Sequence, residues 1–198
     1  MAVSIDDIRK LKELTGVGLT DAKVALVEAE GDFDKALEQM RKKGLTKAEK
    51  KSDREAREGI IDSYVHGGRI GVLVEVNCET DFVARTDGFK EFAHFIALQV
   101  ASMNPLYISE ADIPAEELER VRTEAKEKVI ADGKPADMAD KIVEGQVKKH
   151  FSEKVLMNQQ YIMDDSMTVE TFVKENIGKM GENIIIRQFK RIELGVNE

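Results

Sequence analysis

A densely charged segment from Thr46 to Glu58 divides the chain into two parts with different hydrophobic patterns. Nine of its thirteen residues are charged, the two signs are mixed, and no apolar stripe runs through it. Such a segment has no face to bury, so we interpret it as a solvated helical linker at a domain boundary. We therefore predict a small domain at 1–44, a linker at 45–58 and a larger domain at 59–198.

The first part has the spacing of three short helices. Ser4 is a suitable cap for the first, Thr15–Leu19 interrupts the pattern, and a second helix begins near Thr20. Asp32 is placed to cap a third helix, which we expect Gly44 to end. The apolar residues that recur at helical spacing are Ile8, Leu11, Leu14, Ala22, Ala25, Leu26, Ala29, Phe33, Ala36, Leu37 and Met40.

The second part begins with a change of period. Ile60–Val65 and Ile70–Val76 are rich in β-branched residues and are separated by turn residues, a pattern typical of a β-hairpin. A last strand is predicted at Asn183–Leu194. Between them, helical spacing predicts helices that begin at Asp87, at Pro114 (closed by Gly133 and Pro135), near Met138 and at Thr168. Helices grouped between a hairpin and a final strand indicate an α+β fold with an antiparallel sheet.

Charge and cysteine content exclude several classes of protein. The 38 acidic residues against 30 basic ones give a formal charge of -8, which disfavours direct binding to nucleic acid. One cysteine, Cys78, cannot form an internal disulfide. The first residues, Met1–Lys12, lack the apolar stretch of a signal peptide or membrane span. We therefore expect a cytoplasmic protein with no membrane association.

Residues that carry chemistry elsewhere lack the necessary neighbours here. His66, His94 and His150 have no metal-ligand spacing, so solvent-facing or structural roles are the simpler interpretation. The glycines at Gly67–Gly71 lack the context of a phosphate-binding loop and are interpreted as turn glycines. Cys78 ends an apolar strand and is interpreted as a small buried hydrophobe. We predict no catalytic site, no metal and no cofactor.

The connection from Asn77 to Ala84 places two large apolar residues, Phe82 and Val83, beside an acidic residue. Composition alone favours a Phe82 ring that folds back into its own core, since exposed large apolar residues are uncommon outside binding surfaces. The alternative is an anchor for a partner's pocket. The helix face with Phe89, Phe92 and Ile96 is interpreted as core.

This segment resembles the exchange motif of the elongation factor Ts family: Thr80-Asp81-Phe82-Val83 follows Glu75-Val76-Asn77-Cys78. The resemblance spans nearly the whole chain, through Leu14–Gly18, Asp21–Leu26, Glu30–Asp32, Arg41–Gly44, Gly181–Ile184 and Glu193–Gly195. It implies an N-terminal ubiquitin-associated (UBA)-like three-helix domain, a linker, and an α+β core that carries the motif.

The resemblance also implies a function, which is guanine nucleotide exchange on elongation factor Tu, in its GDP-bound and nucleotide-free forms. In the family the motif phenylalanine wedges between helices of the GTPase and, with the aspartate, disturbs its magnesium and phosphate site. The corresponding residues are Thr80, Asp81, Phe82 and Val83. The N-terminal module docks on the nucleotide domain, which implies contacts by Lys12, Thr15, Gly16, Val17, Gly18, Leu19, Asp21 and Lys23.

The chain departs from the family pattern at Leu19 and Thr20, where methionines are usual, and at Lys12, where arginine is common. With room for one core, it is similar to the short family members, which act as homodimers and bind two copies of the GTPase as a heterotetramer. The alternative function is a ubiquitin-like-binding or scaffold protein whose binding needs residues 1–44 alone. A hydrolase has no nucleophile and base to support it.

Overall fold

The computed structural model of the chain describes residues 3–15, 17–131 and 136–196, with all side chains in these ranges except those of Lys47 and residues 136–138. These residues form two compact units. The first comprises residues up to 97 together with those from 170, and the second comprises residues 98–169. Helices and antiparallel strands together make the fold α+β, as predicted.

All the helices and strands predicted from the sequence are present, and α4, β3 and β4 are additional to them. The helices of the described residues are α1 (Ile5–Thr15), α2 (Leu19–Glu28), α3 (Phe33–Glu49), α4 (Asp81–Ala84), α5 (Asp87–Met103), α6 (Ala115–Ala131), α7 (Ala136–Ser152) and α8 (Val169–Met180). The strands are β1 (Glu58–His66), β2 (Ile70–Cys78), β3 (Gln160–Tyr161), β4 (Asp164–Thr168) and β5 (Ile184–Glu193). Across these ranges we find no helix with the length and apolar character needed to cross a membrane.

The first three helices pack around a small apolar cluster of their own. Its buried members are Leu11, Ala22, Ala25, Leu26, Ala29, Ala36 and Met40. Asp32 caps α3, since its Oδ1 accepts a hydrogen bond from the backbone N–H of Lys35 at 3.0 Å. The prediction of a three-helix arrangement is confirmed, with Asp32 in the capping role.

Helix α3 does not end at Gly44, so that prediction is wrong. It continues to Glu49, and the predicted linker therefore begins inside a helix. A Cβ added to Gly178 of α8 would lie 3.4 Å from the Cα of Gly44, so the two backbones approach closely. Arg41 and Glu175 form an ion pair of 3.2 Å at the same contact. Packing of α3 against α8 thus offsets the helix-breaking tendency of glycine, about 1 kcal/mol relative to alanine.

Strands β1, β2 and β5 form an antiparallel sheet with β2 in the middle. The β1–β2 register runs from Glu58 opposite Cys78 to His66 opposite Ile70, which confirms the predicted hairpin. Gly67 and Gly68 occupy its turn with φ of +55° and +67°, a region that favours glycine. The final strand is also confirmed, with a bulge between Glu75 and Val76 in the β2–β5 pairing.

One face of this sheet is covered by α5. Val72, Val74 and Val76 of the central strand are buried there. Asp62 pairs with Val74 and lies on the same face of the sheet. Its Oδ2 is 3.0 Å from Nδ1 of His94, a residue of α5.

Helix α5 itself contributes a buried side to this core. Phe89, Phe92 and Ile96 are buried, as predicted. The ring of Phe92 stacks on Phe172 of α8 with centroids 5.2 Å apart.

The opposite face of the sheet carries apolar side chains that are exposed. Ile61, Val65, Leu73 and Ile192 are between 53% and 71% exposed. The register places them on one side, because Ser63 pairs with Leu73, Val65 with Gly71 and Gly71 with Ile192. This surface, Ile61, Val65, Leu73 and Ile192, is called the open sheet face below.

In the second unit, α6 and α7 pack around a cluster made of Val121, Ala125, Val129, Val143, Val147, Phe151 and Val155. Both helices were predicted, although Gly133 and Pro135, expected to close α6, lie outside the described residues. The β3–β4 hairpin was not predicted. The buried side chain of Gln99 supports it, since its Nε2 donates to the carbonyl of Gln160 at 3.0 Å and its Oε1 accepts from the N–H of Ile162 at 2.9 Å.

Candidate functional site

The connection between β2 and α5 is a single turn of helix, α4, rather than an irregular loop. Thr80 caps it, because the backbone N–H of Val83 donates to the Thr80 hydroxyl at 3.4 Å. Thr86 then separates α4 from α5, as its hydroxyl donates to the carbonyl of Val83 at 2.8 Å and accepts from the N–H of Phe89 at 3.3 Å. Two threonines therefore define where this turn begins and ends.

Phe82 points away from the protein. Its side chain is 78% exposed, whereas Val83 is 9% exposed and Ala84 is 5% exposed. One turn of helix has a single inward side, and Val83 and Ala84 occupy it. The expectation from composition alone, that Phe82 folds into its own core, is therefore wrong. An exposed phenylalanine on a short capped turn is an unusual feature, and it is typical of a binding surface.

Asp81 lies beside Phe82 and is also exposed. Its Oδ2 forms an ion pair of 2.8 Å with Arg85, one helical turn later. Both side chains are largely in solvent, so the pair contributes little to folding stability. The carboxylate is therefore accessible to solvent at the position next to Phe82.

Cys78 supports the same turn from inside. Burial, and then the negative charge of Glu182, raises the pKa of its thiol to about 11. The protonated Sγ donates to the carbonyl oxygen of Thr80 at 3.1 Å. Cys78 is thus a small buried residue with a local hydrogen bond, as predicted, and it lacks the lowered pKa of a nucleophilic cysteine.

Two of the three histidines lie closer together than their positions in the sequence suggest. Tyr64 joins them: its hydroxyl is 2.9 Å from Nδ1 of His66, and its ring meets that of His94 edge to face at 5.9 Å. Within the part of the chain that the structure describes, no group of three or more side chains is arranged to hold a metal ion. These contacts are structural ones at the edge of the sheet.

The predicted N-terminal contact residues divide into inward and outward groups. Val17 packs against the three-helix cluster, and the hydroxyl of Thr15 donates to the carbonyl of Leu11 at 2.6 Å. The outward group, in which every residue is exposed, is Lys12, Gly18, Leu19, Asp21 and Lys23. Gly16 lies outside the described residues.

Two valines on α2 extend the outward group and were missed from the sequence. Val24 is 47% exposed and Val27 is 57% exposed. Leu19, Lys23 and Val27 follow one another at four-residue intervals, so they share one side of the helix. The available signal was the position of both valines on the side opposite the alanines that pack inward.

The predicted site residues therefore form two groups on different elements. One group belongs to the turn at α4, and the other belongs to α1, α2 and the segment between them. The turn group also has a partner that sequence reasoning did not assign, Glu182, whose carboxylate accepts hydrogen bonds from Glu79 and Thr80.

Comparisons with known proteins agree on one family. A family model described as Elongation factor TS matches residues 34–196. A protein named Elongation factor Ts from Thermotoga petrophila is 52% identical over 196 residues, which cover 98% of each chain. Proteins of the same name from Desulfosudis oleivorans, 48% identical over 98% of each chain, and Herpetosiphon aurantiacus, 46% identical over 100% of each chain, are similar to it along their lengths.

Proposed function

This chain belongs to the elongation factor Ts family of translation factors, and from that premise we propose that it is a guanine nucleotide exchange factor for elongation factor Tu. It binds the GDP-bound GTPase and promotes release of GDP. The observation that carries the proposal is the 78% exposure of Phe82 on a turn whose neighbouring residues are buried. A ring in this position can enter a partner without any change in its own core.

In the proposed mechanism, Phe82 inserts between helices of the GTPase while Asp81 approaches the magnesium and phosphate region. Exchange then follows from linkage, because a protein that binds the nucleotide-free GTPase more tightly than the GDP form must weaken GDP binding by the same factor. No covalent bond forms or breaks, so the protein is not an enzyme and needs no cofactor. GTP then displaces the factor.

The N-terminal module supplies the second contact in this proposal. Lys12 of α1 and Leu19, Asp21 and Lys23 of α2 are exposed and offer the partner mixed charge and an apolar side chain. Thr15 and Val17, which are partly buried, belong to the same proposed contact. Two separated contacts on one chain make the second binding step intramolecular, which raises the overall affinity.

A homodimer is the proposed assembly, with two copies of each protein in the complex. The open sheet face supports it, since four exposed apolar side chains there would be covered by a second copy. The same face carries Glu75, which is paired with Ile61 of β1, and Lys190, which is paired with Leu73 of β2. A two-fold axis would let the acidic residue of one copy meet the basic residue of the other.

Release of a fluorescent GDP from elongation factor Tu tests the proposed function. Addition of the full chain should accelerate the release, and excess GDP with magnesium should dissociate the complex of the two proteins. A ubiquitin-like-binding or scaffold protein would leave the release rate unchanged. Unaltered release at saturating concentrations of a correctly folded chain would rule out the exchange function.

A further inference from the structure

Thr80 and the helical turn α4 that it caps are called the exchange turn below. Glu182 lies just after α8, about a hundred residues from the exchange turn in the sequence, yet its carboxylate accepts hydrogen bonds from that turn. Oε2 accepts hydrogen bonds from the backbone N–H groups of Glu79 at 3.1 Å and Thr80 at 3.0 Å. Oε1 accepts from the hydroxyl of Thr80 at 2.7 Å. One side chain thus accepts from three donors that immediately precede α4, and hydrogen bonds to a charged acceptor are the stronger kind.

A second hydrogen bond joins the same two segments with donor and acceptor exchanged. Oε1 of Glu79 accepts from the backbone N–H of Asn183 at 2.7 Å. The side chain of Asn183 donates to the carbonyl oxygens of Ser52 at 3.2 Å and Arg54 at 2.7 Å. Three segments that are far apart in sequence are therefore joined at the start of the exchange turn.

The bond to the Thr80 hydroxyl has a directional consequence. A threonine hydroxyl has one proton to donate and two lone pairs with which to accept. Because the proton is directed to Glu182, a lone pair is available to the N–H of Val83, which is the capping bond of α4. Glu182 thereby fixes the cap, the cap fixes the orientation of α4, and α4 carries the outward ring of Phe82.

We propose that Glu182 is a positioning residue for nucleotide exchange, which holds the turn so that Phe82 stands outward before the partner arrives. This inference rests on the proposed function. A turn held in its binding conformation avoids the ordering cost on association, whereas a turn that populates this conformation only part of the time binds more weakly by that fraction. The residue itself does not touch the GTPase in this scheme.

The main experiment measures the GDP release rate against the concentration of wild-type protein, Glu182→Ala and Glu182→Gln. For Glu182→Ala we expect the half-saturating concentration to rise roughly tenfold. The saturating rate should stay within about twofold of wild type, since the Phe82 side chain that enters the GTPase is still present. Glu182→Gln keeps one acceptor oxygen and should lie between the two. Glu170→Ala, which removes an exposed carboxylate of α8 paired with Lys174, is the matched control and should behave as wild type.

A double-mutant test separates positioning from general support of the fold. In a Phe82→Ala background no ring remains to be positioned, so Glu182→Ala should raise the half-saturating concentration much less than it does alone. An effect of equal size in both backgrounds would overturn the inference. A folded Glu182→Ala variant with the half-saturating concentration of wild type would also overturn it. If the alanine variant does not fold, the same result for Glu182→Gln would overturn it.

A measurement on the free protein needs no partner. The chain contains no tryptophan, so Phe82→Trp supplies a single fluorescent reporter in the turn. Its anisotropy should fall when Glu182→Ala is added, and an unchanged anisotropy would overturn the inference. If wild-type protein fails to accelerate GDP release, the proposed function fails instead, and the two failures are distinguishable.

Discussion

The thiol of Cys78 and the carbonyl of Thr80 are joined by a hydrogen bond of 3.1 Å, across the end of β2 and the start of the exchange turn. Cys78 donates this bond only while it is protonated. Its side chain is buried and its pKa is raised to about 11, so the protonated form prevails throughout the physiological range. The central strand of the sheet and the cap of α4 are thereby connected through a neutral thiol.

Cys78 should resist alkylation in the folded protein. At pH 8 iodoacetamide should modify it much more slowly than in urea-unfolded protein, because the folded thiol is both buried and protonated. Mass spectrometry of timed samples measures the two rates. Equal rates in folded and unfolded protein would contradict the burial.

The same pKa shift predicts a pH dependence of stability. The folded pKa lies above the ordinary value of 9.0, so the contribution of Cys78 is fully present below pH 9 and is lost as pH rises toward about 11. Urea unfolding of the wild type and of Cys78→Ala at several pH values should show a steeper decline for the wild type. Parallel declines would mean that this thiol is not responsible.

Phe82→Ala should retain the fold and slow GDP release. Because 78% of the side chain is exposed, its loss should change the free energy of unfolding little. Loss of an anchor residue costs about 2 kcal/mol of binding free energy, and stopped-flow fluorescence measures the slower release. Ile130→Ala, which removes an exposed apolar side chain of α6, is the control and should leave release unchanged.

Gly59→Ala should strongly destabilise the sheet. A Cβ at this position would lie 2.1 Å from the carbonyl oxygen of Val76 on the paired strand, and φ is +152°. We expect the free energy of unfolding to fall by about 3 kcal/mol, as overpacked sites lose. Gly71→Ala is the matched control on β2, where an added Cβ meets nothing within 4 Å, and denaturant titration of both variants should separate them clearly.

A charge on the open sheet face should break the proposed dimer. Ile192→Asp places a carboxylate among exposed apolar side chains that a second copy would cover, where its desolvation would be costly. Sedimentation velocity should show a shift from dimer to monomer, while Ile130→Asp leaves the dimer intact. A wild-type chain that sediments as a monomer would remove the basis for the dimer altogether.

Local patterns predicted most of the elements because those elements are stabilised by their own residues. The hairpin followed from two β-branched runs around glycines in left-handed conformation, at Gly67 and Gly68. Helix α5 followed from the spacing of Phe89, Phe92 and Ile96, all of which are buried. In each case the spacing of apolar residues within a short segment of sequence indicated which face of the element is buried.

The features that were not predicted depend on contacts between distant parts of the chain. Gly44 lies within a helix because α8 packs against it at Gly178. Phe82 points outward because Val83 and Ala84 take the inward side of a single turn, and composition does not determine which side that is. The contacts of Glu182 join residues more than a hundred positions apart. No local pattern reports such pairings.

The continuity of α3 through Gly44 determines where the N-terminal module can be cut. The helix runs for 17 residues, from Phe33 to Glu49, or about 25 Å at 1.5 Å per residue. A fragment that stops at residue 44 would sever it internally and leave carbonyl groups without their helical donors. A fusion designed to transplant the module onto another protein should instead be joined after Ser52, whose backbone N–H still bonds to the carbonyl of Glu49.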